Sequence, residues 1–424
     1  MEAVLLCTFL GLTFLGVPVA YALGLSVSVI LYYYMNIPQV MITQVMYSGV
    51  DSFSFMAVPF FMLAGSFMSA GGVTKRLVNF AQSLVGSFTG GLAQVVAVSG
   101  MFFAAISGSS AATTAAIGST MVDEMEKKGY RRELATGIVA AGGTVGIVIP
   151  PSITLVVYGV IAGASIGDLF MGGLIPGLLM GLTMCLVSYA IAKKEGIPAE
   201  GSFSFMNVIK SFKDSFWALM TPVIIIGGIY GGIFTPTEAA AVAAVYGIFV
   251  GFFIYKELTI KDFPRIIFQA VMGTTMIMFI VGAAKVFGWM LTNLEIPHHI
   301  GEYIVSLTSS PAMFLIMMNV LLLFIGTLIN ASAAIVILTP IFLPVATKLG
   351  IDPLFFGVLM VINLAIGCIT PPVGLDLFVA SAITKVPLEK VMKASTPYLI
   401  ALLGALLLMT FCPAIITFLP NLLN

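Results

Sequence analysis

Charge is what this sequence has least of. Lys and Arg number 18 and Asp and Glu 18 in 424 residues, 8% of the chain, against roughly 25% in a soluble domain. So few charges cannot cover a water-facing surface, so most of the surface must face lipid. The net charge is zero and no long basic run occurs, which removes nucleic acid from the expected partners. Histidine is limited to His298 and His299, side by side between apolar segments. Cysteine is limited to Cys7, Cys185, Cys368 and Cys412, scattered with neither a disulfide framework nor metal-ligand spacing. The apolar segments hold no His–carboxylate constellation and no nucleophile–base motif, so the chain does not read as an enzyme.

Apolar residues are abundant: 60% of the chain, with a mean hydropathy of +1.13. A spanning helix takes roughly 20 of them. The segments are 4–34, 54–72, 92–106, 109–125, 135–163, 168–192, 216–234, 238–255, 266–291, 312–329, 331–346, 355–384 and 396–420. Met1 and Glu2 supply no positive n-region, so 4–34 reads as a retained first membrane helix. Two pairs, 92–106 with 109–125 and 312–329 with 331–346, are short and almost unseparated. Each reads as a re-entrant hairpin with its polar tip at mid-depth. If the first opens to the cytoplasm and the second to the opposite side, every Lys and Arg except Lys285 and Lys348 falls inside. The outer loop 292–311 then carries Glu295 and Glu302 and no Lys or Arg, as the positive-inside rule requires.

A shift of 221 residues aligns the two halves. Gly129 falls on Gly350, Gly146 on Gly367, Pro150 on Pro371, Pro151 on Pro372 and Ser109 on Asn330. The hairpins open to opposite sides, so the repeats are inverted. The expected fold is an all-α polytopic membrane protein with inverted repeats, two re-entrant helical hairpins and two discontinuous helices. Such repeats mark secondary transporters with a midplane site.

Polar residues concentrate at these places. The first tip, SGSSAATTAAIGS at 107–119, carries Ser107, Ser109, Ser110, Thr113 and Thr114. Its alanines serve close helix packing. Its carbonyls and hydroxyls can ligate a hard cation, and the start of its return helix can face an anion. In GGTVGIVIPPS at 142–152 the two prolines should break a helix near Ile149. The second half offers GTLINAS at 326–332 and NLAIGCITPPVGLD at 363–376, with oxygens on Thr327, Asn330, Ser332, Asn363, Thr370 and Asp376. Asn330 suits a substrate hydroxyl or carboxylate. Asp376 is a functional candidate by its rarity in an apolar segment; capping the resumed helix and lining a water-filled vestibule are equally open to it. Proton-driven carriers usually show carboxylate or histidine relays. Here two clusters of hydroxyls and freed carbonyls point to Na⁺ instead, one ion per cluster. TPTEAAA at 235–241 reads as a helix start, with Thr235 or Thr237 as cap and Glu238 on the dipole. Residues 195–215 read as the longest polar loop, and Lys285 either pairs with a carboxylate or snorkels.

From about residue 1 to 420 the chain resembles the large membrane subunit of a tripartite ATP-independent periplasmic (TRAP) transporter. The resemblance is carried by AAISGSS…AAIGS at 104–119, KKGYRRELATG at 127–137, IPPSI at 149–153, GGIFTPTEAAAVA at 231–243, LTPIFLPVATKLGIDPLFFG at 338–357 and NLAIGCITPPVGLDLFVASA at 363–382. It implies a Na⁺-driven elevator in a bacterial inner membrane, with a small four-helix membrane subunit and a soluble periplasmic binding protein as partners. It implies at least two transported Na⁺. The first would involve Ser107, Gly108, Ser110, Gly142, Thr144 and Gly146. The second would involve Gly326, Thr327, Asn330, Gly367, Thr370 and Gly374. Substrate would lie near Ser109, Ser110, Ser152 and Asn330. The implied divisions are scaffold helices at 1–72, transport halves at 73–165 and 266–395, a scaffold and polar loop at 166–265, and a C-terminal helix at 396–424.

Thr113 and Asn330 stand where many members of that family carry Asp. The tip resembles forms associated with sialic acid carriers, which makes sialic acid the first substrate expectation. C4-dicarboxylates and other sugar acids are the alternatives. A stand-alone Na⁺/dicarboxylate symporter with the same hairpin logic is the rival within the class.

Overall fold

A computed structural model describes residues 1–197, 199, 203–307 and 310–423, and every regular element among them is helical. In chain order these are α1 Glu2–Phe14, α2 Val19–Ile30, α3 Val40–Val50, α4 Ala57–Ala70, α5 Val73–Val85, α6 Gly91–Ser107, α7 Ser110–Lys127, α8 Arg132–Thr144, α9 Ile153–Ala162 and α10 Ile166–Glu195. The second half holds α11 Phe205–Tyr230, α12 Pro236–Phe249, α13 Phe263–Asn293, α14 Ile296–Leu307, α15 Pro311–Leu328, α16 Ala331–Lys348, α17 Pro353–Gly367, α18 Leu375–Thr384, α19 Leu388–Phe411 and α20 Ala414–Leu423. Eight stretches among the described residues are long and apolar enough to cross a membrane. The fold is that of a multi-pass, all-α membrane protein.

The repeat holds element by element. α7 and α16 match at both ends under the 221-residue shift. The starts of α6, α8, α9 and α10 lie within one residue of it from those of α15, α17, α18 and α19. The shared breaks have shared chemistry. Gly129 and Gly350, at φ +89° and +76°, end α7 and α16 in a left-handed turn that an L side chain resists. Pro150-Pro151 and Pro371-Pro372 both interrupt a helix, and both bonds are cis. α8 stops at Thr144, one tight turn follows at Val145–Ile147, and α9 resumes at Ile153. α17 stops at Gly367 and α18 resumes at Leu375.

The hairpins end against those breaks. α6 has 17 residues, about 25 Å of helix, short of a bilayer core of roughly 30 Å. Its turn at Gly108 meets Pro151 and Ile153, midway along the α8–α9 pair. The halves interlock through α9, which packs on α16 and α17. The Tyr158 hydroxyl donates to the Pro353 carbonyl at 2.6 Å. Ion pairs join separate segments at the Lys- and Arg-bearing ends: Arg76 pairs with Glu257, Arg131 with Glu195, and Lys390 with Glu133.

Several expectations change. Segment 4–34 is two helices, α1 and α2, packed on each other. Gly16 at φ +83° turns the chain and Pro18, without a donor, starts the second helix. α3, α5 and α14 fall outside the apolar segments, and the outer loop 292–311 is largely α14. α5 and α14 each precede a hairpin, and α5 is one-sided. On α5, Val73, Leu77 and Phe80 are buried while Lys75 is turned out. An amphipathic helix lying along the membrane boundary lacks the long apolar run that marks a span. The polar loop is shorter than 195–215, because Ser204 caps α11; residues 198 and 200–202 lie outside the described residues. The division at 395 falls inside α19, and α13, grouped with the second hairpin by the division at 266, packs on α16 as well as on α2, α3 and α4. The 235–241 start is a capping box: Thr235 accepts from the Glu238 N–H while the Glu238 carboxylate accepts from Thr235. The stem of Lys285 lies on Gly49 and its end is exposed, the snorkelling alternative.

Candidate functional site

Gly108 turns the first tip at φ +60°. A β-carbon there would sit 2.8 Å from the Pro151 carbonyl oxygen, so only glycine lets the tip seat on the break. Ser109 caps α7, its hydroxyl accepting from Ala112. Behind it the hydroxyls of Ser107 and Thr113 lie 2.9 Å apart, and Thr113 donates to the Ser109 carbonyl at 2.8 Å. Gly146 faces this group: a β-carbon on it would come 2.5 Å from Thr113 Oγ1 and 2.7 Å from the Ser109 carbonyl. Gly143 faces the Ser110 carbonyl and the Thr114 hydroxyl, and that hydroxyl is buried without a hydrogen bond. The structure thus gathers Ser107, Gly108, Ser110 and Gly146, and adds Thr113, Thr114 and Gly143. Gly142 turns the other way, its carbonyl against Gly100. Thr144 donates back to Ala141 in its own helix.

At the second break, Gly326 and Gly367 lie face to face, each in contact with the other's backbone. The Gly374 N–H donates to the Thr327 carbonyl at 3.0 Å. The hydroxyls of Thr327 and Thr370 bond to Phe324 and Ile366 in their own helices. These residues therefore offer the break their backbone more than their side chains. Asn330 caps α16, accepting from Ser332 at 2.9 Å.

Between the tips is a cavity of about 300 Å³. Ser109, Ser110, Thr154, Asn330 and Ser332 line one side, and Met62, Met276, Ile277 and Ile280 the other. Of the four expected substrate residues, Ser109, Ser110 and Asn330 are in the lining. Ser152 is not: it is fully buried as the cap of α9, accepting from Leu155 at 3.2 Å and donating to the Ile147 carbonyl. Thr154, 3.3 Å from Ser332 across the cavity edge, takes its place. The sequence signal for Thr154 is its position three residues beyond the double proline; the apolar wall has none.

No Lys, Arg, Asp or Glu lines the cavity, yet α7, α9 and α16 all begin there. A helix start carries roughly +0.5 of an elementary charge. Three converging starts, with five side-chain hydroxyl or amide groups, make a site for an anion without a charged side chain.

Asp376 lies apart from the cavity lining. It is fully buried, and neither carboxylate oxygen makes a hydrogen bond of ordinary geometry among the described residues. It does not cap α18, whose N-cap is Gly374, and no water-filled vestibule reaches it.

Residues 6–415 match the family described as the tripartite ATP-independent periplasmic transporter, DctM component. The chain is 46% identical over 404 residues to the isethionate TRAP transporter permease protein DctMQ of Oleidesulfovibrio alaskensis, covering 94% of this chain and 63% of that longer protein. It is 46% identical over 371 residues to the C4-dicarboxylate TRAP transporter large permease protein DctM of Pseudomonas aeruginosa, covering 88% and 87%. It is 39% identical over 414 residues to the sialic acid TRAP transporter large permease protein SiaM of Vibrio cholerae, covering 98% and 97%. In fold it is similar to the YdaH transporter of Alcanivorax borkumensis, with a TM-score of 0.66 at 14% identity over 87% of each chain.

Proposed function

Because the chain belongs to the DctM component family of tripartite ATP-independent periplasmic transporters, we propose that it carries a small organic anion across the bacterial inner membrane, driven by Na⁺. The observation that carries this reading is the cavity where three helix starts and the hydroxyls of both hairpin tips converge. An anion is held there by backbone dipoles and neutral donors, which compensate charge without fixing one ligand shape.

Na⁺ is cargo in this reading. Ser107, Gly108, Ser110, Thr113 and Gly146 hold one ion and Gly326, Thr327, Gly367, Thr370 and Gly374 the other; both groups present oxygens and no side-chain carboxylate. Each group joins a tip to a broken helix, so an ion bound there ties tip to break and couples its binding to the cavity. Hairpins and broken helices move as a unit against α4 and α13 in an elevator motion. The partners are a small membrane subunit, of four helices by family resemblance, and a periplasmic protein that delivers the anion.

Among anions, sialic acid is favoured by the neutral Thr113 and Asn330. A shorter acid such as isethionate or a C4-dicarboxylate is the second reading, favoured by the higher identity to carriers of those compounds. The test is uptake by the chain reconstituted with its small subunit and binding protein, offering each acid in turn. Uptake is expected to need a Na⁺ gradient; uptake on a proton gradient alone would sink the ion assignment. Uptake by the chain without partners would defeat the tripartite reading.

A further inference from the structure

Asp376 is the one Asp, Glu, Lys or Arg among the described residues that is fully buried. Its N–H donates to the Cys368 carbonyl at 3.0 Å, which pins the start of α18 against the end of α17. α18 lies along α7. Among the described residues the Ser110 hydroxyl and the Cys368 thiol interact electrostatically with its carboxylate, and no cationic side chain does. Neither carboxylate oxygen is engaged in a hydrogen bond of ordinary geometry. A bare carboxylate in so dry a place is costly, far beyond what the start of α7 returns through its dipole. Either a proton or a monovalent cation neutralises it, and the Na⁺ count below tells the two apart. A divalent ion would leave an uncompensated buried charge of the opposite sign, and carboxylate and hydroxyl oxygens suit a hard ion.

We propose that Asp376 and Ser110 form an additional cation site, taking one monovalent hard cation beyond the two tip-and-break clusters. The ion is Na⁺ if the transport reading above holds, and the inference rests on that reading. Ser110 faces the cavity as well as Asp376. The cation therefore sits one side chain behind the anion, fixing the Ser110 hydroxyl and adding a positive charge near the helix starts. Its occupancy raises anion affinity, and the number of ions moved per anion depends on a single carboxylate.

The experiment is a count of ²²Na⁺ bound per chain in the purified complex at saturation, for wild type and Asp376→Asn. Asp376→Asn is expected to bind one Na⁺ fewer, and to move one positive charge fewer per anion in vesicles. Equal Na⁺ counts would overturn the site while leaving Na⁺ coupling intact. A wild type that binds no Na⁺ would overturn both. A measurement on wild type alone guards against a variant that does not fold. Exchanging K⁺ for Na⁺ is expected to shift a carboxylate stretching band in the infrared difference spectrum. A spectrum with no carboxylate band moving would overturn the site without any substitution.

Discussion

Replacing Gly367 by Ala puts a methyl group where the second hairpin meets its break. That β-carbon would lie 2.8 Å from the Gly326 α-carbon and 2.9 Å from its carbonyl carbon, against an ordinary contact of about 3.5–4.0 Å. The atoms it strikes are backbone, so no rotamer change relieves the clash. α15 must move off α17, and the Thr327 carbonyl moves away from the Gly374 N–H with it. Overpacking by one methylene-sized group costs about 1–3 kcal/mol. Placed on the closed arrangement of tip and break, that cost corresponds to roughly a 5- to 150-fold loss of affinity for whatever needs them together. The assay is the Na⁺ concentration giving half-maximal uptake in proteoliposomes, with Gly404→Ala as control, since nothing lies within 4 Å of a β-carbon at Gly404. The half-maximal concentration should rise at least fivefold in Gly367→Ala and not in Gly404→Ala. A folded Gly367→Ala protein with wild-type Na⁺ dependence would refute the placement of an ion at this break.

Ser152→Ala removes the cap of α9 and should cost about 1 kcal/mol of stability, lowering the melting temperature while the substrate KM stays put. A raised KM at unchanged melting temperature would return Ser152 to the substrate. Asn330→Ala strips the second tip of a cavity-lining amide and of the α16 cap. Uptake should fall at least tenfold at normal protein levels, as expected when a buried hydrogen-bonding partner of the ligand is lost; wild-type uptake would take the second tip out of the site.

The breaks and tips were legible in sequence because their chemistry is local. A double proline ends a helix wherever it falls, and Ser109 and Asn330 cap the helices that follow them whatever surrounds them. The 221-residue shift was legible for the same reason: Gly129 and Gly350 impose the same turn twice. What stayed hidden depends on distance in the chain. α5 lacks a long apolar run because one face is exposed. Met62 and Ile277 look like any lipid-facing residues until α4 and α13 are seen opposite the tips. Ser152 misled because a capping serine and a ligand-binding serine share the same signature beside a helix start. Asp376 was conspicuous by its charge, but only packing shows it sealed and unpartnered.

In the elevator motion proposed above, the cavity's far wall would serve as a slip plane. Met62, Met276, Ile277 and Ile280 face the tips, and no hydrogen bond among the described residues crosses from α4 or α13 to α7, α9 or α16. Sliding the tips along such a surface trades one apolar neighbour for another at nearly constant buried area, so the large hydrophobic term barely changes. A seam stitched by hydrogen bonds would instead charge about 1–3 kcal/mol for each partner left bare. Methionine adds compliance, since its unbranched thioether refills gaps as the facing relief changes. The seams inside the tip-and-break unit are the opposite kind, fastened by Tyr158 on Pro353, Thr154 beside Ser332 and Gly374 on Thr327. Under the proposed motion the apolar seam would resist sliding less than the polar ones, and the polar stitching would decide which parts travel together.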